Sequence, residues 1–176
     1  MDHSRTPLAD ALDKQSRVST IAFDVPGHKG KIPAMTEFFG RRCMSLDKNS
    51  RDDIDNLFNP TGVIAQAESL AADAFGAKRA FFMVGGTTSC VQSMIMSVCR
   101  QGESILLPRN VHASVLHGII LAGALPVYMK PGINDRLGIS TGVSAADVEK
   151  LIIENPEVKA VWINNPTYYG LCSDLK

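Results

Sequence analysis

Several things are missing from this 176-residue sequence, and each absence removes a class of function. Its four cysteines, Cys43, Cys90, Cys99 and Cys172, form no CxxC pair, so neither a zinc ribbon nor a disulfide framework is in view. Scattered free thiols fit a reducing cytoplasm, the expected location. There is no HExxH, and His112 and His117 stand five residues apart, off the spacing that stacks side chains on one helix face. No metal is expected. Eighteen Lys and Arg balance eighteen Asp and Glu without a long basic run, so nucleic acid is not an expected partner. The longest apolar stretch, Val115 to Leu125, is broken by His117 and Gly118 and falls short of the roughly 18 residues a membrane span needs. Met1-Asp2-His3-Ser4 lacks the basic start and apolar stretch of a secretory leader. Neither GxGxxG nor GK[ST] occurs, which removes the dinucleotide fingerprint and the P-loop. Internal repeats and low-complexity tracts are absent as well.

What is present is an ordinary globular composition with regular punctuation. Thr6-Pro7 reads as a cap followed by a first-turn proline, opening a short helix over Leu8 to Lys14. Phe23 to Lys31 is a loop carrying Pro26, Gly27 and Gly30, and Arg41 to Pro60 reads as a long irregular connection. Beyond Gly62, helical and strand-like stretches alternate. Ile64, Ala67, Ala71, Ala74 and Phe75 recur at helical spacing before Gly76. Ala80 to Val84 is a strand-length apolar run, followed by a helix over Ser89 to Cys99. A strand is expected at Ser104 to Leu107, a helix at His112 to Ala122 closed by Gly123, and a strand at Leu125 to Met129. Ser144-Ala-Ala-Asp147 resembles a capping box opening a helix through Ile152, which Asn155-Pro156 ends before a strand at Val158 to Ile163.

This alternation implies an α/β fold: a doubly wound, mostly parallel sheet with helices on both faces. Residues 1–60 form an N-terminal helix and irregular arm, and residues 61–176 the first part of the α/β domain. Ser173-Asp174 reads as the cap of one more helix, yet the sequence stops at Lys176, so the domain is expected to be incomplete at its C-terminal end.

Ligands of such sheets bind at the carboxyl ends of the strands. There the sequence places Gly85-Gly86-Thr87-Thr88-Ser89 at a helix start. Two glycines permit close backbone approach, while three hydroxyls and the first helical amides offer donors to an anion. The same sequence also serves as a plain strand-to-helix turn. His112, after Pro108-Arg109-Asn110-Val111, could lie against a planar ring, or simply cap its helix. Asn164 to Gly170 could reach the same place, or form a turn.

Together, FDVPGHKG (residues 23–30), NPTGVIAQAESLAADAFGA (59–77), FFMVGGTTS (81–89), PRNVHAS (108–114) and NNPTYYG (164–170) resemble the major domain of the Orn/Lys/Arg decarboxylases. Those enzymes use pyridoxal 5'-phosphate (PLP) on the aspartate-aminotransferase fold, fold type I. The resemblance runs from about Thr6 to Lys176 in the family's order. It implies that Gly86, Thr87, Thr88 and Ser89 hold the PLP phosphate, that His112 stacks on the pyridine ring, and that Asn165 lies near the ring's 3' oxygen. It implies decarboxylation of lysine, arginine or ornithine, a place in polyamine biosynthesis, and a homodimer or higher oligomer. Lys29 follows a histidine, as the family's PLP-bearing lysine does, but precedes the stacking residue. In the family that lysine, and the aspartate on the ring nitrogen, come later than Tyr169-Gly170. No catalytic residue is therefore assigned, and this chain alone is expected to be inactive. The sequence departs from the family pattern at Leu46-Asp47-Lys48-Asn49, where Asp-x-Thr-Glu is common. It also has Gly85 for Asn, Ala113 for Lys and Asp24 for His.

Overall fold

A computed structural model describes residues 1–19, 21 and 23–175, and the chain forms two compact units, Met1–Phe82 and Met83–Lys176.

The first unit is helical. It contains α1 (Pro7–Ser16), α2 (Pro33–Phe39), α3 (Arg41–Leu46) and α4 (Val63–Ala74). Helix α1 packs on both α3 and α4. Arg42 of α3 pairs with Asp13 and donates to Ser16 Oγ at 3.1 Å. Arg5 reaches Gln66 of α4 at 3.1 Å. The stretch 41–60, expected to be irregular throughout, in fact opens with α3, whose Met44 is buried, and closes on Asp55. Asp55 adopts a left-handed backbone (φ 69°) and is 9% exposed. Its carboxylate accepts the amides of Asn56 (2.8 Å), Thr61 (3.0 Å), Gly62 (2.7 Å), Ile64 (3.1 Å) and Ala65 (3.4 Å). It thus fills the N-terminus of α4 with negative charge supplied from the preceding loop. Burial pushes its pKa up, but the amides of Thr61, Asn56, Gly62 and Ile64 outweigh that and hold it at about 2.

The second unit is the α/β part. It contains α5 (Gly86–Val98), β1 (Ser104–Pro108), α6 (Ala113–Ala122), β2 (Leu125–Met129), a hairpin of β3 (Ile133–Asn134) and β4 (Ile139–Ser140), α7 (Ala145–Glu154) and β5 (Ala160–Val161). The sheet order is β2-β1-β5, all parallel, with β1 buried along its whole length. Its side chains alternate between faces. Ile105 and Leu107 join Val91, Ile95, Val115 and Ile119 of α5 and α6. Leu106 joins Met129 and Val143 on the other face, where Val148 and Leu151 of α7 pack. Helices therefore cover both faces, which is the doubly wound arrangement. Pro126 is tolerated because β2 lies at the edge of this sheet.

Two expected strands differ. Residues 80–84 form no strand, because among the described residues no neighbouring backbone pairs with them; Phe82 N–H donates instead to Glu68 Oε1 at 2.9 Å, and Val84 is 90% exposed. The strand expected over Val158 to Ile163 shortens to Ala160–Val161, the stretch that pairs with Ile105 and Leu106 of β1. No helix follows Ser173 within the described residues. Its N–H donates to Asn165 Oδ1 at 2.9 Å and its Oγ accepts from Val143 N at 3.1 Å, tying the segment back onto the sheet.

Candidate functional site

The parallel sheet gives β1, β2 and β5 a common carboxyl end. Helix α6 starts there, because residues 109–112 lead directly from β1 into it. Helix α5 ends before the amino end of β1, so its own start lies at the opposite end, beside that of α6. Contacts along the two helices agree. Their C-terminal loops meet where Gly102 N–H donates to Gly123 O at 2.8 Å. Midway, α6 presents Gly118 to α5: a Cβ there would lie 2.8 Å from Ile95 Cδ1 and 3.3 Å from Gln92 Cα. The helices are thus parallel and in close backbone contact, with their starts level to within about one turn. Both pack on the Ile105 and Leu107 side of β1. Gly86 to Ser89 and His112 therefore share one end and one face of the sheet.

The start of α5 is bare. Its N-cap position is Gly85 and no side chain caps it. Gly86 has φ 75°, a conformation that favours glycine, and a Cβ on it would meet nothing within 4 Å. Thr87 and Thr88 are exposed, and their hydroxyls bond to nothing among the described residues. Ser89 is different. Its hydroxyl donates back to Gly85 O at 3.0 Å, and a side chain at 85 would collide with it, since a Cβ would lie 2.2 Å from Ser89 Oγ. Gly85 makes that inward turn of Ser89 available. Two free hydroxyls and the first helical amides remain available to an anion, which the helix dipole would favour.

His112 caps α6. Its Nδ1 accepts the amide of Ser114 at 3.1 Å and lies 2.9 Å from Ser114 Oγ. An acceptor at Nδ1 puts the ring proton on Nε2 and fixes the orientation of the imidazole. The cap and the planar surface are therefore compatible roles of one side chain. Arg109, immediately past the end of β1, lies over the Tyr128 ring at 5.1 Å.

The end of β5 supplies the third group. Asn164, read in the sequence as either a pocket group or part of a turn, is a structural tie: its Oδ1 accepts from Trp162 Nε1 at 2.8 Å and its Nδ2 donates to Asn110 O at 3.1 Å. It thereby holds the loop that carries His112. No spacing rule could have shown this, because the partners are 54 residues apart. Asn165 is exposed; its Oδ1 is occupied by Ser173 N–H, which leaves its amide NH2 as the outward donor. Thr167 is buried, with its Oγ1 accepting from Leu171 N at 3.3 Å.

Other chemistry is thin. Burial, then the charge of Glu103, pushes the Cys99 thiol up, so it is a poor nucleophile. Among the described residues no three His, Cys, Asp or Glu side chains cluster as a metal site, and no helix is long and apolar enough to cross a membrane. In the first unit the Pro26-Gly27-His28-Lys29 loop is a tight turn. His28 Nδ1 accepts from Gly30 N at 2.9 Å, so Nε2–H faces Asp47 Oδ2 at 3.0 Å.

Comparison with known proteins gives a consistent result. The profile of the "Orn/Lys/Arg decarboxylase, major domain" family matches residues 6–176. The arginine decarboxylase of Bacillus subtilis is 39% identical over 179 residues, covering 100% of this chain and 36% of that protein. That of Bacillus cereus is 42% identical, covering 100% of this chain and 39% of its own length. The crystal structure of the Francisella novicida lysine decarboxylase superposes with a TM-score of 0.79 at 25% identity, covering 92% of this chain and 25% of that one. The chain thus spans little more than a third of the curated relatives it matches.

Proposed function

The chain belongs to the Orn/Lys/Arg decarboxylase family, and from that premise we propose that it is the first part of a PLP-dependent enzyme decarboxylating lysine, arginine or ornithine. Bound PLP supplies an electron sink for the electron pair left when carbon dioxide departs. The residues here bind and orient that group. Gly86, Thr87 and Thr88 take the phosphate through amides and hydroxyls, while Ser89 lends its amide and holds the turn. His112, its ring fixed through Nδ1, lies on the pyridine face, and Asn165 offers its NH2 to the ring's oxygen substituent. Asn164 keeps the His112 loop in register. The single observation that carries this reading is the uncapped α5 start lying level with, and on the same face of the sheet as, the α6 start that His112 caps.

The lysine that anchors PLP covalently, and the carboxylate that keeps its ring nitrogen protonated, are assigned to polypeptide outside these 176 residues. Binding therefore separates from covalent capture in the test. PLP should bind this chain weakly, in competition with inorganic phosphate, and pyridoxal without its phosphate should bind far less. Equal binding of the two would overturn the phosphate assignment. Borohydride reduction followed by peptide mapping should label no lysine stoichiometrically; full labelling of Lys29 would overturn the rejection of that residue.

A second reading, a portion that acts only after joining a complementary chain, is favoured by the apolar surface. Phe58 (98% exposed), Phe23 (95%) and Tyr168 (96%) have nothing covering them among the described residues. Sedimentation at rising concentration should show self-association. A sharp monomer at high concentration would count against it.

A further inference from the structure

We propose that the first unit carries an anion site of its own, shaped for a small, multiply charged oxyanion of the phosphate kind. The site is a hollow of roughly 750 Å³ bounded by the end of α1, the turn at residues 24–31 and α3. That size suits a small metabolite. The chain as a whole is electrically neutral, yet a third of its Lys and Arg side chains line this hollow, against two carboxylates, Asp24 and Asp47. The carboxylates are already committed. Asp47 meets His28 Nε2 at 3.0 Å, and Asp24 meets Arg51 at 3.6 Å. Arg42 is neutralised by Asp13. Lys29, Lys31, Arg41 and Lys48 are left with no acidic partner among the described residues.

Even against the charge of Asp47, four basic side chains without an acidic partner leave the concavity net positive, and a bound anion relieves their repulsion more than any neutral ligand could. The wall is also built rigidly. His28, whose side chain is 9% exposed, locks the turn from inside, with Gly30 N–H on its Nδ1 and Lys31 N–H on its backbone oxygen at 2.9 Å. Lys29 is held at φ 51°, a left-handed conformation that a lysine rarely adopts, and this fixes the base of its side chain. The same charges disfavour the cationic side chain of a basic amino acid. The proposal does not depend on the function assigned to the second unit.

The test uses inorganic pyrophosphate and the full chain. Calorimetry at low ionic strength should show saturable binding that survives Thr87→Ala/Thr88→Ala at the α5 start. Arg41→Gln and Lys48→Gln should each weaken it about tenfold, and raising salt to about 0.5 M should weaken it further. Both positions are exposed, so far-UV circular dichroism should stay unchanged. As a check independent of variants, amide NMR shifts on adding pyrophosphate to the unaltered chain should concentrate in residues 26–31 and 41–48. Shifts confined to 86–89, loss of binding in the Thr87/Thr88 variant, or indifference to Arg41→Gln and Lys48→Gln would each overturn the proposal.

Discussion

Helices α4 and α5 both start behind a glycine, Gly62 and Gly85, which has no side chain to cap them. In α4 the vacancy is filled from within: Asp55 reaches in from the preceding loop and accepts amides around the first turn. In α5 nothing comparable arrives, and Thr87 and Thr88 leave their hydroxyls free. The physical demand is the same at both ends, a partial positive charge with unmet donors. One helix answers it with a residue of the chain and so becomes scaffold. The other leaves it open, which is the feature the proposed phosphate site uses. The contrast explains why a helix start alone is weak evidence for binding, and why the missing internal anion at α5 counts.

Removing the internal anion should have the largest effect. Asp55→Ala strands the buried amide of Ile64 and several part-buried ones and should destabilise the first unit by about 2–3 kcal/mol in urea unfolding, with lost exchange protection at Gly62 and Ile64. Gly118→Ala disturbs the α5–α6 spacing without touching any donor. It should cost about 1–3 kcal/mol through overpacking, seen as a lower melting temperature. Acid should reproduce part of the Asp55 effect. This carboxyl is held at about 2, below its unfolded value, so its contribution is full above about pH 4 and fades as pH falls toward 2. Urea midpoints across that window should flatten in Asp55→Asn. At α5 the pattern should invert. Thr87→Ala/Thr88→Ala should leave stability within about 0.5 kcal/mol yet weaken PLP binding about tenfold, measured by PLP absorbance. Ser89→Ala should have the smallest effect on PLP affinity, since its hydroxyl is turned to Gly85 O. If Thr87→Ala/Thr88→Ala unfolded the chain instead, the α5 start would be scaffold after all.

Much of this was legible before any coordinates. Ser104 to Leu107 and Leu125 to Met129 read as strands because a parallel strand is a short, largely apolar run, and both form, the first buried throughout and the second, at the sheet edge, buried only at Met129. The helix starts at His112 and Ser144 and the stop at Gly123 followed from capping chemistry, and each is made by the residue expected. Composition misled at residues 80–84, because a strand needs a partner and pairing is not a local property. The β3–β4 hairpin was missed although its signal was present: Asn134 Oδ1 accepts from Arg136 N and Leu137 N, and Gly138 sits at φ 64°. Asp55 could not have been read, since its role depends on a left-handed backbone and on amides as far as ten residues downstream. Gly86 to Ser89 and His112 could be named from sequence; that they occupy one face and one end of the sheet needed the α5–α6 packing.

Gly118 carries a consequence for how the α5 and α6 starts hold their distance. With no atom beyond Cα at that crossing, the gauge between the threonines and the imidazole is set by the Gly118 backbone lying against Gln92 and the side chain of Ile95. Ile95 is itself fully buried, so such a caliper has little room to open at its jaws.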